Sequence, residues 1–521
     1  MTMRASAAEA GGGADGGVGH GTGRGTGPSV ALTVPRLLAA RAEAEPAHIA
    51  ISQGADTLDL AAWQARTQAI AAGLRAAGIR PGERVGLLYG PRDWIAYACS
   101  YTGVLAAGAV AVPMSVRSAP AELAYMLEHC DARALVYGPA AKPPDVPVEL
   151  CWGPERISAL PEAEPIPGPR PGDAAQILYT SGTTGRPKGV VAAHANLTHG
   201  ARLNPPLRAL AHSRHFLHAF PIGTNAAQTM LFNALTAHAG MLATARFVPE
   251  HFARLIERHA VGTVFVVPAM AIELLRSGAL ERHDVSSVAL FGSTAAALPP
   301  TVAAELAAAM PHATLVNYYT STEAAPTQTS MVFHPARPAA LGRAAAGGTL
   351  RVCDEAGRPC PAGVVGEVWM RGAGIPRSYL DDPETTRHVF RGGWTRMGDV
   401  GYLDAAGYLF LVDREGDVIK SGADKVSTIA VEAALHEHPE IVQAAVLGLP
   451  DPVLGMTPVA VLVATRELRL AEVRAFLAAR LAGHEQPSRI VHVDELPRNA
   501  GGKVVKHRLR ELFDAAPDPR T

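Results

Sequence analysis

Short apolar runs alternate with longer helical stretches along most of this chain. Clear examples of the runs are Arg84 to Tyr89, Val264 to Val267, Val288 to Phe291 and Thr314 to Tyr318, and a helix is expected from about Asp93. That alternation is typical of βαβ units, in which helices cover a mostly parallel sheet. The pattern therefore predicts an α/β fold.

A second pattern covers the stretch from about Leu341 to Tyr379. Glycine and proline separate short strands there, such as Glu367 to Met370. Short strands with turn residues between them are typical of antiparallel sheets and barrels. We expect a small distorted β-barrel in this part of the large domain.

The chain is too long for one hydrophobic core. Its 521 residues exceed the size at which a single core keeps growing, so two or more domains are expected. Residues 1–28 are rich in glycine, alanine and threonine without an apolar run, which predicts a disordered tail and no signal or transit peptide of the usual kind. We place a large N-terminal domain at 29–413 and a small α+β C-terminal domain at 414–521, where a short βα pattern begins.

Charge and cysteine content exclude some function classes. The chain has 47 basic and 48 acidic residues, so nothing electrostatic favours nucleic acid or a strongly anionic membrane as a partner. Its five cysteines are scattered without paired spacing, which fits a reducing compartment and predicts a cytoplasmic location.

An uncharged span from Trp94 to Val116 is long enough to raise the question of a membrane helix. Gly103, Gly108 and Pro113 interrupt it, and the valine and alanine alternation near its end is typical of a strand. We expect a buried helix that runs into a buried strand, and no membrane span.

The most informative motif is residues 179–189, Tyr-Thr-Ser-Gly-Thr-Thr-Gly-Arg-Pro-Lys-Gly, which follows the apolar pair Ile177 and Leu178. Its glycines let backbone amides approach an anion, its hydroxyls add donors and Lys188 adds a compact charge. A flexible surface linker would need neither the apolar strand before it nor the Pro-Lys-Gly after it. The motif is not a Walker A loop, because Pro187 precedes the lysine and Gly189 follows it. It predicts a phosphate-binding loop.

Four further segments occur in a set order after this loop: Tyr319 to Glu323, Trp394 to Tyr402, Asp413-Arg414, and Pro497 to Lys503. Together with the loop they resemble the signature segments of the adenylate-forming superfamily. That superfamily contains acyl- and aryl-CoA synthetases, the adenylation domains of peptide synthetases, and luciferases. The resemblance extends from about residue 35 to about residue 512.

The resemblance implies ATP and Mg²⁺ as ligands and a nucleotide site between a large domain and a C-terminal lid. Similar enzymes join a carboxylate to the α-phosphate of ATP and expel pyrophosphate. The implied catalytic residues are Thr180, Lys188, Glu323, which would hold magnesium, and Lys503, which would lie between the carboxylate and the α-phosphate. The residues implied to bind the nucleotide are Thr180, Ser181, Gly182, Thr183, Thr184, Gly185, Lys188, Tyr319 (on adenine), Thr322, Asp399 and Arg414 (on ribose) and Lys420.

A second half-reaction is also implied, in which the lid rotates and a pantetheine thiol accepts the acyl group. CoA is the expected acceptor, and a stand-alone enzyme that loads a carrier protein remains open because its thiol is the same. Two departures from the family pattern affect this step. Gly416 stands at the hinge, where Asp or Lys is common, and Ala423 replaces a glycine on the pantetheine path.

A third possibility, of another class, is a catalytically decayed nucleotide-binding protein. Thr224, Gly416 and Ala423 would be its signs of decay. Four retained residues argue against decay: Glu323, Asp399, Arg414 and Lys503.

The acid pocket is expected at the loop after Pro221, where the family often carries a histidine and this chain has Thr224. Asn225 follows, and its amide is suited to a polar group on the acid. The alternative is that Asn225 caps the start of a helix. The sequence leaves the identity of the acid open.

Overall fold

A computed structural model describes residues 32–145, 148–160, 167–180, 187–345, 347–372, 374–414, 417–421, 424–451, 453–499 and 504–515. The strands in these ranges are β1 Ile49–Gln53, β2 Asp56–Asp59, β3 Arg84–Tyr89, β4 Val110–Ser115, β5 Ala132–Tyr137, β6 Leu150–Trp152, β7 Ala174–Thr180, β8 Lys188–Ala193, β9 His215–His218, β10 Gly240–Ala243, β11 Thr263–Val266, β12 Leu290–Ser293, β13 Thr314–Tyr319, β14 Thr329–Val332, β15 Arg343–Ala344, β16 Thr349–Cys353, β17 Gly366–Arg371, β18 Ser378–Tyr379, β19 Phe390–Arg391, β20 Trp394–Leu403, β21 Leu409–Arg414, β22 Ile419–Ser421, β23 Asp424–Val426, β24 Ile441–Asp451, β25 Gly455–Ala464 and β26 Ile490–His492.

The helices in the same ranges are α1 Val34–Ala44, α2 Leu60–Ala76, α3 Trp94–Ala106, α4 Pro120–His129, α5 Pro154–Ser158, α6 His194–Leu197, α7 Asn225–Thr236, α8 Pro249–His259, α9 Pro268–Arg276, α10 Ala279–Arg282, α11 Pro300–Ala309, α12 Pro383–Val389, α13 Thr428–His436, α14 Leu470–Leu477 and α15 Lys506–Ala515. A short 3₁₀ helix spans Pro205–Leu207.

Two large sheets are mostly parallel, which confirms the predicted α/β fold. The first has the strand order β15-β14-β13-β12-β11-β9-β10-β1-β2 and is parallel from β13 to β1. The second has the order β18-β8-β7-β4-β3-β5-β6 and is parallel from β7 to β6. The strand predicted at Val288 to Phe291 lies slightly later, as β12.

The third sheet is antiparallel, with the order β16-β17-β20-β19 and with β21 also paired to β20. The predicted barrel is this curled sheet, and its strands extend well beyond Tyr379. Ser378 and Tyr379 do not belong to it. They form β18 and pair with β8 of the second large sheet, because β8 offers an edge of unpaired backbone groups to the nearest extended segment.

The C-terminal part is a small α+β unit. Its sheet has the order β23-β22-β25-β24, with β26 paired to β25, and it carries α13, α14 and α15. Its apolar residues, such as Ile419, Val431 and Leu462, form a cluster of their own.

The uncharged span that begins at Trp94 consists of α3 and β4, as expected from the sequence. A Cβ on Gly103 would lie 2.6 Å from Cγ2 of Ile70, so the glycine lets α3 pack directly on α2. Of the helices that the structure describes, none is long and apolar enough to cross a membrane.

A buried cluster of charges fastens α1 to the end of α7. Nη2 of Arg41 lies 3.1 Å from Oε2 of Glu45, and Arg208 pairs with the same carboxylate. Nη1 of Arg41 also donates to the carbonyl oxygens of Leu235 and Ala237, at 2.9 and 3.2 Å. Burial, followed by the neighbouring Arg208, lowers the pKa of Arg41 to about 10. One carboxylate therefore serves two buried cations.

Candidate active site

The predicted phosphate loop connects two antiparallel strands. β7 leads into it and β8 leaves it, and Thr180 pairs with Lys188 across its base. The apolar strand expected before the loop is β7, and its residues Ile177 and Leu178 are buried. The five loop residues that would form the phosphate cradle lie outside the described residues: Ser181, Gly182, Thr183, Thr184 and Gly185.

Lys188 is held at the exit of the loop by the start of α12. Its Nζ lies 3.3 Å from Oγ1 of Thr385 and 3.9 Å from Oδ2 of Asp382. The same ammonium group stands 5.5 Å from the ring centre of Tyr379. Lys188 is half-buried, and its partners place its charge beside β18.

Glu323 lies next to this group. The hydroxyl of Tyr379 donates to Oε1 of Glu323 at 2.9 Å. Burial and the adjacent Glu323 carboxylate raise the pKa of Tyr379, so its hydroxyl keeps its proton and remains a donor. Lys188, Tyr379 and Glu323 thus form a continuous array beside the base of the loop.

The residues assigned to adenine and ribose also meet. The hydroxyl of Tyr319 donates to Oδ2 of Asp399 at 2.5 Å, and Asp399 is buried. The pairing of β20 with β21 sets Asp399 directly opposite Arg414. The backbone therefore places both proposed ribose ligands at one point of the curled sheet.

Several of the predicted site residues lie wholly or partly outside the described part of the chain. Lys503, Gly416 and Ala423 lie outside the described residues, as do the side chains of Arg414 and Lys420. Thr322 is half-buried one position before Glu323.

Thr224 and Asn225 stand at the start of α7. Thr224 is the cap of this helix, since its Oγ1 accepts from the backbone N–H of Ala227 at 3.2 Å. The alternative in which Asn225 caps the helix is therefore wrong. Asn225 is the first helical residue and is half-buried, and its side-chain amide has no hydrogen-bond partner among the described residues.

Two side chains near this site were not indicated by any sequence motif. Tyr379 bridges Lys188 and Glu323, although it is 56 positions from the glutamate in sequence. Gln228 lies one turn along α7 from Thr224. It is buried, its Oε1 accepts from the hydroxyl of Tyr97 at 2.7 Å, and its Nε2 is left without a described partner. The helix-start signal Asp382-Pro383 marks α12, but no local pattern points from β18 to Glu323.

Comparison with known proteins agrees with this architecture. The family model described as AMP-binding enzyme matches residues 38–380, and the model described as AMP-binding enzyme C-terminal domain matches residues 430–503. The chain therefore belongs to the AMP-binding enzyme family. It is an AMP-forming acid–thiol ligase, which uses ATP and Mg²⁺ to activate a carboxylic acid as an acyl adenylate and then transfers the acyl group to a thiol.

Among the relatives, a feruloyl-CoA synthase from Amycolatopsis sp is 32% identical over 488 residues, which are 91% of this chain and 97% of the relative. A putative acyl-CoA ligase, YdaB, from Bacillus subtilis is 30% identical over 491 residues, 88% of this chain and 95% of the relative. Among solved structures, ATP-bound MatB from Rhodopseudomonas palustris has a TM-score of 0.82 and 28% identity, and the match covers 93% of this chain and 99% of MatB.

Proposed function

We propose that this ligase performs its adenylation step with the residues gathered around Glu323, and that free CoA is its acceptor. The observation that carries the proposal is the array of Lys188, Tyr379 and Glu323 at the base of the phosphate loop. It places a cation, a hydroxyl donor and a carboxylate together where the family motif predicts the triphosphate.

In the proposed first step a carboxylate oxygen of the acid attacks the α-phosphorus of ATP. Two anions must meet, so positioning and charge neutralisation lower the barrier. Lys188 and the hydroxyls from Thr180 onward bind phosphate oxygens, and Lys503 lies between the carboxylate and the α-phosphate. Tyr319 contacts adenine, while Asp399 and Arg414 hold the ribose. No general base is required, because the nucleophile is already ionised.

The carboxylate of Glu323 fits a magnesium ion. The described residues contain no group of three or more histidine, cysteine, aspartate or glutamate side chains able to hold a metal, and Mg²⁺ typically needs only one or two carboxylates beside substrate phosphates and water. Tyr379 orients the carboxylate through Oε1. The ion would supply charge neutralisation at the phosphates.

The motif order and the chemistry of the ligands suggest domain boundaries and a cellular location. We propose a disordered tail at 1–28, an adenylation domain at 29–413 and a lid at 414–521. Across the proposed boundary, Oδ2 of Asp413 accepts from the backbone N–H of Thr428 at 2.6 Å. We also propose a cytoplasmic location, where ATP and CoA are available and where the five unpaired cysteines would stay reduced.

Acid-dependent exchange of pyrophosphate into ATP tests the adenylation step. Short-chain, long-chain and aryl acids are compared, and the best acid is then offered with CoA or with a phosphopantetheinylated carrier protein. We expect one acid class to support exchange and CoA to be acylated faster than the carrier protein. Exchange with none of the acids would contradict the proposal, and preferential acylation of the carrier would select the alternative acceptor.

Replacement of Glu323 by glutamine should raise the Mg²⁺ concentration required for half-maximal exchange by about ten-fold, because a neutral amide is a weaker ligand for a hard cation. A titration of magnesium at saturating ATP measures the midpoint. Glu384→Gln, an exposed carboxylate on α12, is the matched control and should leave the midpoint unchanged. An unchanged midpoint in Glu323→Gln would remove this residue from the metal site.

Asn225 should favour an acid that can form a hydrogen bond with its free amide. A hydroxylated aryl acid is the proposed class, supported by that amide and by the 32% identity to a feruloyl-CoA synthase. We expect the hydroxylated acid to exceed its deoxy analogue, for example 4-coumaric over cinnamic acid, by about ten-fold in kcat/KM.

Asn225→Leu should then remove this preference without changing the apparent affinity for ATP. Asn233→Leu, a half-buried asparagine further along α7, serves as the control and should retain the preference. If Asn225→Leu leaves the ratio unaltered for every polar and apolar pair tested, the hydroxylated aryl class is the wrong substrate class.

A further inference from the structure

One buried cation near the candidate site forms no direct ion pair with a described residue. Arg377 immediately precedes β18 and is 7% exposed, and its Nε and Nη1 atoms are buried without a hydrogen-bond partner among the described residues. Two other buried arginines differ in this respect. Arg41 of α1 and Arg208, which follows the short 3₁₀ helix, share the carboxylate of Glu45. Burial of an unpaired charge is costly, so a buried guanidinium with free donors is suited to an anion that arrives with the substrate.

Arg377 lies near Glu323, since it precedes Tyr379 by two positions and interacts electrostatically with the Glu323 carboxylate. The hydroxyl of Tyr379 donates to Glu323. The pKa of Arg377 agrees with this placement, since burial lowers it to about 10 while Glu323 and Tyr101 oppose the shift. The side chain therefore remains cationic at neutral pH.

Tyr101 of α3 is the other neighbour of Arg377, and it does not neutralise the charge. Its hydroxyl is already engaged, because it donates to Oε1 of Gln176 at 2.8 Å. Its ring packs on Phe232 of α7, with the ring centres 6.0 Å apart. The side of Arg377 that leads toward α7 is thus aromatic, whereas Lys188 lies on the side of Tyr379.

We propose that Arg377 binds the β- and γ-phosphates of ATP, and then the pyrophosphate that leaves, together with Lys188. This inference rests on the proposed phosphate role of residues 179–189. As the carboxylate oxygen bonds to the α-phosphorus, the bond from that phosphorus to the bridging oxygen breaks, and its electron pair leaves on pyrophosphate. A guanidinium with two free donors can bind two phosphate oxygens at once and stabilise this charge. Arg377 transfers no proton in the step.

Binding of AMP and of Mg·ATP to the full chain separates this role from others. Arg377→Met should weaken Mg·ATP by about ten-fold or more, because charged hydrogen bonds to the outer phosphates are lost, and should change AMP affinity by less than about two-fold. Arg377→Lys should recover part of the loss. In pyrophosphate exchange, the KM for pyrophosphate should rise by a similar factor while the KM for the acid is unchanged.

Thermal unfolding without ligand distinguishes a ligand-binding role of Arg377 from a structural one. Arg377→Met should melt at the same temperature as the unsubstituted protein or higher, because it removes a buried charge whose Nε and Nη1 donors are unpaired among the described residues. Arg351→Met is the matched control. Nε of Arg351 is also buried without a described partner, but its guanidinium stacks on Trp369 and Trp394 in the curled sheet, so the affinity for Mg·ATP should be unchanged.

Three results would overturn the proposal. These are equal losses of AMP and Mg·ATP affinity, a rise confined to the KM of the acid, and a lower melting temperature with unaltered Mg·ATP affinity. The titrations do not depend on finding the acid. An Arg377-dependent Mg·ATP affinity without exchange for any acid would support this inference while contradicting the proposed reaction.

Discussion

Replacement of Lys503 by alanine is expected to lower acid-dependent pyrophosphate exchange by about 10²-fold or more, the usual effect of removing a positioned electrostatic group. We propose that the lysine carries positive charge to the point where the carboxylate meets the α-phosphate. Its removal should not affect folding. The flanking residues Arg498 and Val504 pair as an antiparallel bridge, and Nη2 of Arg498 donates to Oε1 of Gln443 at 2.9 Å.

Exchange rates, Mg·ATP titration and circular dichroism together measure this outcome. Mg·ATP affinity should stay within about two-fold, because the proposed role lies mainly in the transition state. Arg510→Ala removes an exposed cation from α15 and should leave exchange unchanged. Exchange that survives within a few fold in Lys503→Ala, or a loss of the folded spectrum, would show that the lysine does not have this role.

Replacement of Glu45 by alanine should lower the free energy of unfolding by about 3 kcal/mol, since removal of one partner leaves the buried charges uncompensated. Both side chains that depend on it, Arg41 and Arg208, are almost fully buried. Their remaining hydrogen bonds go to backbone carbonyl oxygens, which carry no full charge. The two cations would then lie close together without an anion.

The loss is measured by chemical denaturation, as the displacement of the midpoint at constant slope. Glu43→Ala changes an exposed carboxylate on α1, the helix that ends just before Glu45, and should alter stability by less than about 0.5 kcal/mol. A loss below about 1 kcal/mol in Glu45→Ala would mean that water or a local rearrangement compensates the two arginines.

The parts of the fold with a strong local signal were predicted well. β3 and the helix after it follow from an apolar run and a change of period, and the strand before the phosphate loop follows from Ile177 and Leu178. These features depend on neighbours a few positions away. The allocation of Ser378 and Tyr379 to the curled sheet was wrong, because a two-residue strand has no period of its own and joins whichever edge is nearest.

In the candidate site, too, local features were predicted and long-range contacts were not. The composition of the phosphate loop nominated Lys188, and the resemblance to the family nominated Glu323 and Asp399. They could not show that Tyr319 donates to Asp399 across 80 positions, or that Thr224 rather than Asn225 caps α7. A cap depends on where the chain enters the helix, and a long-range hydrogen bond depends on which strands pair.

The sequence by itself determined the family, the reaction class and the order of the motifs, because each motif is a short run of residues that can be recognised without knowledge of its surroundings. Only the tertiary structure decided which charges are compensated. Arg41, Arg208 and Arg377 are the same residue type, yet the first two share a carboxylate and the third forms no direct ion pair with a described residue. Burial and the approach of distant segments set the energy of a charge, and neither can be read from the residues on either side of it.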